Sequence, residues 1–384
     1  MTLTRRTLLV AAGATVALAG CTDSTSEDGD DGADTPTGTD TPTPDGPYGG
    51  PDGWTGEAEA DVFHLPITPS RPLWAVADDA KGFVTLLEDD YDDLWMVDNP
   101  DEVEGLRAWL DETAPTDSLV YLQTAGPSTC YSRVAVNDIG IENGGIVGTA
   151  SAVDTSEADE MCGAALTYPS ALVRVSADES PEDVNFTVTD GWGESAKISA
   201  DGRYVDPERL PGHVRPDGDP PQMAEFSCEG NDFQRLDGPE NVAMGEVHDD
   251  EELSYAMRVR TGTEKPRVGR GDEVTVTLWN VSTDTHHTGN RDKWTLQSFT
   301  TDGWQTVFGA DGDAHFGYTD EAIEHRPGKA FEWSFEMTEK CVLSEHVHGD
   351  RLRVCPDLPA GRYRFVYHGI VSAEPLAVEF HYQN

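Results

Sequence analysis

Lysine is scarce in this chain, and no long apolar run follows its first twenty residues. Only six lysines accompany twenty arginines, and 26 basic against 72 acidic residues leave a formal charge of -46. Such a surface repels nucleic acid and anionic membrane, so neither is expected as a partner of the folded part. No Cys-x-x-Cys pair is present, which argues against a zinc ribbon or a thioredoxin-type centre. A Gly-x-Ser-x-Gly elbow, a phosphate-binding glycine loop, a dinucleotide fingerprint and a His-Glu-x-x-His pair are all missing. With none of these constellations, the chain is read as having no enzymatic activity and no cofactor. Asp311-x-Asp313-x-His315 begins like a calcium loop, but Phe316 stands where that loop needs Gly and Ala322 where it needs Glu. Paired carboxylates occur throughout so acidic a chain and therefore identify nothing.

What is present begins at the N-terminus. Thr4-Arg5-Arg6-Thr7 opens a stretch that is uncharged from Thr7 to Gly20 and ends Leu18-Ala19-Gly20-Cys21. A basic start, an apolar middle and small residues at the exit make a signal peptide over residues 1–21. The twin arginine points to the Tat route, which exports folded cargo. The ending resembles the lipobox of prokaryotic lipoproteins, which implies lipidation of Cys21 and anchoring to the cell membrane, facing outward. A plain cleaved leader and an uncleaved span are the alternatives. The uncharged stretch is short for a span, which needs about 20 residues. Residues 22–55 follow as an acidic Thr/Pro/Gly tether, with no Val, Ile, Leu, Phe or Trp before Trp54. As a flexible coil it would reach about 30 Å.

The acids run through the whole chain. The Debye length is about 8 Å in ordinary buffer and about 3 Å near 1 M salt, so the mutual repulsion of these carboxylates is best screened in brine. Abundant Asp and Glu with little Lys resembles the proteins of halophilic archaea.

Residues 56–200 read as a β-rich α+β domain with one helix. Strand patterns lie at Ser118–Gln123, Val134–Val136, Ile146–Val153, Ala171–Val175 and Phe186–Val188. The helix is placed at Pro100–Asp111, with Asn99 as N-cap, Glu102 closing a capping box, and Val103, Leu106, Trp109 and Leu110 on one face. Residues 201–225, rich in Pro and Gly, form an ordered connector. Over residues 226–384 apolar side chains alternate along Val274–Leu278, Phe331–Met337, Tyr363–Tyr367 and Leu376–Tyr382, the pattern of a β-sandwich.

Within that region, Glu273–Asn280, Lys293-Trp294-Thr295-Leu296, Gly303-Trp304, Pro327-Gly328 and Leu358-Pro359-Ala360-Gly361-Arg362-Tyr363-Arg364 resemble a bacterial immunoglobulin-like domain. The resemblance runs from about Arg267 to Tyr382 and implies the fold, with no ligand attached to it. The insertion Lys340–Val354 departs from the pattern. Taken together, the chain is similar to a haloarchaeal Tat-exported lipoprotein with a C-terminal immunoglobulin-like domain, whose extracellular partner is unknown.

Five cysteines remain beside Cys21. The shortest loops pair Cys130 with Cys162 and Cys341 with Cys355 and leave Cys228 unpaired, although sequence does not fix connectivity. Asn185-Phe186-Thr187 and Asn280-Val281-Ser282 are acceptors for glycosylation in principle, and Asn280 is also a residue the fold itself can need. Histidines crowd the last hundred residues. On a strand, His346-x-His348 would present both imidazoles on one face, half a zinc or copper site, so metal handling is the second functional reading. Among the nine tryptophans a sugar-stacking platform is a further option, against the commoner role of Trp in a core.

Overall fold

The computed structural model describes residues 48–49 and 59–383, apart from 68–69, 78, 88–93, 98–99, 178–179, 219–225, 229–231, 250–251, 263–266, 313 and 372. The leader with Cys21, Asn99, Asp313 and the tether other than residues 48–49 lie outside the described residues. Against the tether reading, Tyr48–Gly49 pairs as a short antiparallel strand with Phe63 and Val62. What is described is mainly β, with one α-helix.

The N-terminal half carries eight main strands: β1 (Glu59–His64), β2 (Gly82–Leu87), β3 (Asp117–Thr124), β4 (Tyr131–Glu142), β5 (Gly145–Asp154), β6 (Ser170–Ser176), β7 (Asp183–Thr189) and β8 (Ser195–Ser199). They form an antiparallel sheet in the order β1-β6-β3-β2 and a second sheet in the order β4-β5-β7-β8, in which β5 and β7 run parallel. Both faces of the first sheet are buried, and the period-two alternation divides them. Val120, Leu122, Val173 and Val175 meet Val136, Ile146, Val184 and Phe186 of the second sheet. Leu119, Tyr121 and Leu172 instead point toward Trp74, Leu106 and Trp109 on the helical side.

The expected helix is shorter than its pattern. A 3-10 turn covers Pro100–Glu102, and the α-helix spans only Leu106–Asp111. Gly105, at φ 81°, takes the left-handed conformation that a helix interior excludes, so the run breaks there. The apolar face survives the break: Leu106, Trp109 and Leu110 are buried.

The C-terminal half carries β9 (Glu246–Asp249), β10 (Glu252–Thr261), β11 (Glu273–Asn280), β12 (Trp294–Thr300), β13 (Gly303–Thr306), β14 (Ala330–Glu336), β15 (Gly361–Tyr367) and β16 (Leu376–Tyr382). One sheet runs β9-β10-β11-β14 and the other β16-β15-β12-β13. Inward residues of both, among them Met257, Val276, Trp294, Trp333, Phe365 and Phe380, share one core. Trp294, Phe335 and Phe365 form a cluster of near-parallel rings, with Trp294 6.2 Å from Phe335 and 5.2 Å from Phe365 between centres.

The 201–225 stretch is ordered over its described part and is sewn to the C-terminal half. Tyr204 N–H donates to the Val281 carbonyl at 2.7 Å, and His213 and Val259 exchange both backbone hydrogen bonds. Val205 and Leu210 pack on Ala256, Trp279 and Val281. The Tyr204 ring, however, belongs to the core of the N-terminal half, edge-on to Phe83 at 4.9 Å and Trp95 at 5.0 Å. Gly328 makes room for it: a side-chain carbon there would lie 2.7 Å from the ring. The two halves thus form one compact unit.

Cys130 and Cys162 are bonded as expected. The Cys341–Cys355 pairing is not what forms. Cys355 bonds Cys228, with Cα atoms 5.7 Å apart, and Cys341 is the free thiol among the described residues. Strand pairing explains the choice. Arg353–Val354 lies beside Phe308–Gly309, whose other neighbour is Phe233–Arg235, and this brings the 228 segment against residue 355. Arg235 fixes the approach by donating to the carbonyls of both Cys355 and Phe226 at 2.7 and 2.8 Å.

Candidate functional site

His346 and His348 do not lie on a strand. They sit in a run of turns after β14. His346 is buried, edge-on to Trp294 at 4.9 Å and Phe308 at 5.4 Å. Burial, helped by the nearby His348 and His368, pushes its pKa down to about 4. Its Nδ1 accepts from the His348 backbone N–H at 3.1 Å, while His348 Nε2 lies 3.0 Å from the Gly317 carbonyl and donates to it. Each imidazole therefore has one nitrogen engaged by the backbone. Among the described residues, no three His, Cys, Asp or Glu side chains gather as a metal-binding set.

A different group of histidines lines a cleft of about 280 Å³ at one end of the C-terminal half. Its walls are His248 on β9, Tyr255 on β10, His286 and His287 after β11, and Ile370 and Val371 in the β15–β16 loop. The register of the sheet puts Tyr255 opposite Asn280, at the mouth of that loop end. Asn280 then folds the loop. Its Nδ2 donates to the carbonyls of Asp284 at 2.6 Å and His325 at 2.8 Å, and its Oδ1 accepts from the Ser282 N–H and hydroxyl. His286 Nε2 lies 2.9 Å from the Ser282 hydroxyl, and its ring is 5.7 Å from that of Tyr255. Behind Tyr255, wholly buried His325 faces Thr288 Oγ1 at 3.0 Å through Nε2, and burial lowers its pKa to about 4. Val371 stands half exposed at the rim. The cleft offers imidazole and hydroxyl groups beside apolar walls, the mixture usual in a binding pocket.

Asn280 is wholly buried and both its amide hydrogens are donated, so the folded chain presents no glycan acceptor there. Asn185 is exposed on β7, its amide oxygen accepting from the Ser199 hydroxyl. The sequence contained one pointer to the cleft, the adjacent His286 and His287 just past Asn280. Nothing local marks Tyr255 or His248, which reach it only through strand pairing. No helix among the described residues is long and apolar enough to cross a membrane.

No protein-family model matches this chain. No curated protein matches it either. Among solved structures it is similar to β-glucosidase from Listeria innocua in complex with glucose, at 14% identity and a TM-score of 0.18, over 35% of this chain and 17% of that one. A mutant of that β-glucosidase in complex with laminaribiose gives 11% identity and a TM-score of 0.17, over 41% of this chain and 22% of the other. The chain thus spans less than a quarter of those enzymes, and a likeness this slight carries no argument about fold or activity.

Proposed function

We propose that this is a non-catalytic protein of the outer cell surface, anchored by a lipid on Cys21, that binds an extracellular partner through the cleft at the loop end of its C-terminal half. The observation that carries the reading is the N-terminal order: Arg5-Arg6, an uncharged stretch, Leu18-Ala19-Gly20-Cys21, then a tether without core-forming residues ahead of a β body. An immunoglobulin-like assignment of the C-terminal half supports it. Strands β10-β11-β14 face β16-β15-β12-β13, the two-sheet order of that arrangement. Tyr363, at the start of β15, donates its hydroxyl to the Pro359 carbonyl at 2.7 Å, as the tyrosine corner of such domains does. In variable-type domains the ligand-bearing loops include the ones that here hold His286 and Val371.

Cell fractionation tests the anchor. Cys21→Ser is expected to move the protein from the membrane to the soluble fraction, and retention in the membrane would mean an uncleaved span instead. The cleft is tested with the released protein, by recovery of envelope components on immobilised wild type and on Val371→Asp. A component lost in the variant identifies the partner. Identical recovery on both would remove the cleft from the proposal and leave the anchor untouched.

A further inference from the structure

We propose that the outer face of the β4-β5-β7-β8 sheet, together with Trp192, binds a neutral polysaccharide chain. This site is independent of the C-terminal cleft. Val134, Val136, Ile146, Val184, Phe186 and Val188 fill the inner face, so the alternate residues point to solvent. Strand register then sets them in rows. Asn137, Thr149, Thr187 and Lys197 are successive partners across all four strands, and Ala135, Ser151, Thr189 and Ser195 form the next row. Val147, Asn185 and Ser199 form a third. No Asp or Glu stands in any row, in a chain with 72 of them. Asp138 sits on the β4 bulge beside Thr149, and Glu142 and Asp183 close one end.

The face is hollowed into an open cleft of about 560 Å³ that includes Thr149, Asn185, Thr187, Lys197 and Ser199. Several of its polar groups are idle. The Asn185 side-chain amide donates to no described residue; its oxygen accepts from the Ser199 hydroxyl. The Thr187 hydroxyl and the Lys197 ammonium make no hydrogen bond or ion pair with any described residue, although Lys81 and Lys293 both have carboxylate partners.

At the other end of β7 the hairpin turn holds an indole out in solvent. Trp192 is 55% exposed. Its turn is built to keep it there. Asp190 Oδ1 accepts from the N–H groups of Trp192 at 2.9 Å and Glu194 at 3.0 Å, and Gly193 adopts φ 84°. Gly191 lies so close to Pro127 and Tyr131 that a side-chain carbon would meet Pro127 at 2.6 Å. Asp190 is itself buried and paired with Lys81 at 3.2 Å.

Rows of hydroxyl and amide groups with a single ammonium, that of Lys197, about 4.8 Å apart across the strands, match the hydroxyls of a polyol chain. An exposed indole supplies the flat apolar surface on which the C–H face of a sugar ring packs. The alternatives fit less well. A polyanion is repelled by the body of the chain. An apolar segment finds only Ala135 and Val147 among the outward rows.

The test is affinity electrophoresis of the mature protein through gels containing dextran, xylan or mannan, with the intact mass measured on the same preparation. Retardation by at least one polysaccharide is expected. Trp192→Ala should weaken it about tenfold, Trp192→Tyr should restore most of it, and Thr187→Val with Lys197→Met should abolish it. His287→Ala, in the other cleft, should leave it unchanged. The proposal is overturned if none of the three retards the wild type, or if Trp192→Ala migrates as the wild type does. A mass excess that disappears in Asn185→Gln would also overturn it, because the face would then carry the chain's own glycan.

Discussion

Between the sheets of the N-terminal half lie Val, Ile, Leu and Ala, with Phe186 the one buried aromatic. The core of the C-terminal half holds Tyr255, Trp294, Phe308, Trp333, Phe335, Tyr363, Phe365, Tyr367, Phe380 and Tyr382. Backbone polar groups are handled differently too. In the N-terminal half, paired strands satisfy most of them. In the C-terminal half, arginines satisfy carbonyls of chain that lies outside the main strands. Buried Arg258 donates to the carbonyls of Pro207, Gly245 and Met257 and to Glu246. Arg362 reaches Pro216 and Gly218, and Arg364 reaches Pro239 and Glu240. A planar fork with five N–H groups can serve several carbonyls at once, and a lysine ammonium cannot do so with the same geometry. The contrast teaches that part of the arginine excess in this sequence is architectural. It replaces strand ladders where there are none.

The largest test of this contrast is covalent. The Cys228–Cys355 bridge closes 127 residues and the Cys130–Cys162 bridge 32. In the chain-entropy model the first stabilises by about 5 kcal/mol and the second by about 4 kcal/mol. Paired Cys→Ser substitutions, followed by urea denaturation, should show the larger loss in the C-terminal half. The reverse order would mean that its arginine contacts hold the irregular chain without help.

Next in size is Arg258→Lys. It leaves buried carbonyls short of donors, and a loss of about 3 kcal/mol is expected in the same measurement. Arg174→Lys, in the N-terminal half, should cost about 1 kcal/mol, because Arg174 serves one carbonyl, that of Trp109, where Arg258 serves three, and its ion pair with Asp61 can be kept by a lysine. Equal losses would contradict the distinction drawn between the halves.

The last test concerns pH dependence. His64 in the first half and His325 and His346 in the second all have pKa values lowered to about 4, in each case first by burial. The unfolded chain takes up these protons near pH 6.5, before the folded chain does. Stability from these groups is therefore present above about pH 6.5 and lost as pH falls toward 4, by at most about 1.4 kcal/mol per pH unit for each histidine. His346→Gln should make the slope shallower between pH 6 and 5. An unchanged slope would mean that His346 stays accessible to protons in the folded chain.

Most strands were legible because alternation shows directly in sequence: Ile146–Val153 lies within β5 and Ala171–Val175 within β6. The helix was legible in its apolar face but not in its length, because nothing in the apolar spacing shows that the Gly105 backbone is left-handed. The second disulfide was hidden because loop length is a local measure and the pairing of residues 353–354 with 308–309 is not. Asn280 reads as a sequon, but its buried amide organises a loop, and only the carbonyls of Asp284 and His325 reveal that. The cleft was the least legible feature, since a sheet register has to bring Tyr255 opposite Asn280 before His286 has anything to face.

Tyr204 has a consequence for how such a chain can be divided. Its side chain completes the core of one half, while its backbone N–H belongs to the other. A cut before residue 204 removes a ring from beside Phe83 and Trp95, and a cut after it removes a donor from Val281. There is no neutral seam between the halves, so neither can be exchanged as a cassette for a counterpart from another protein without carrying away part of what its neighbour is made of.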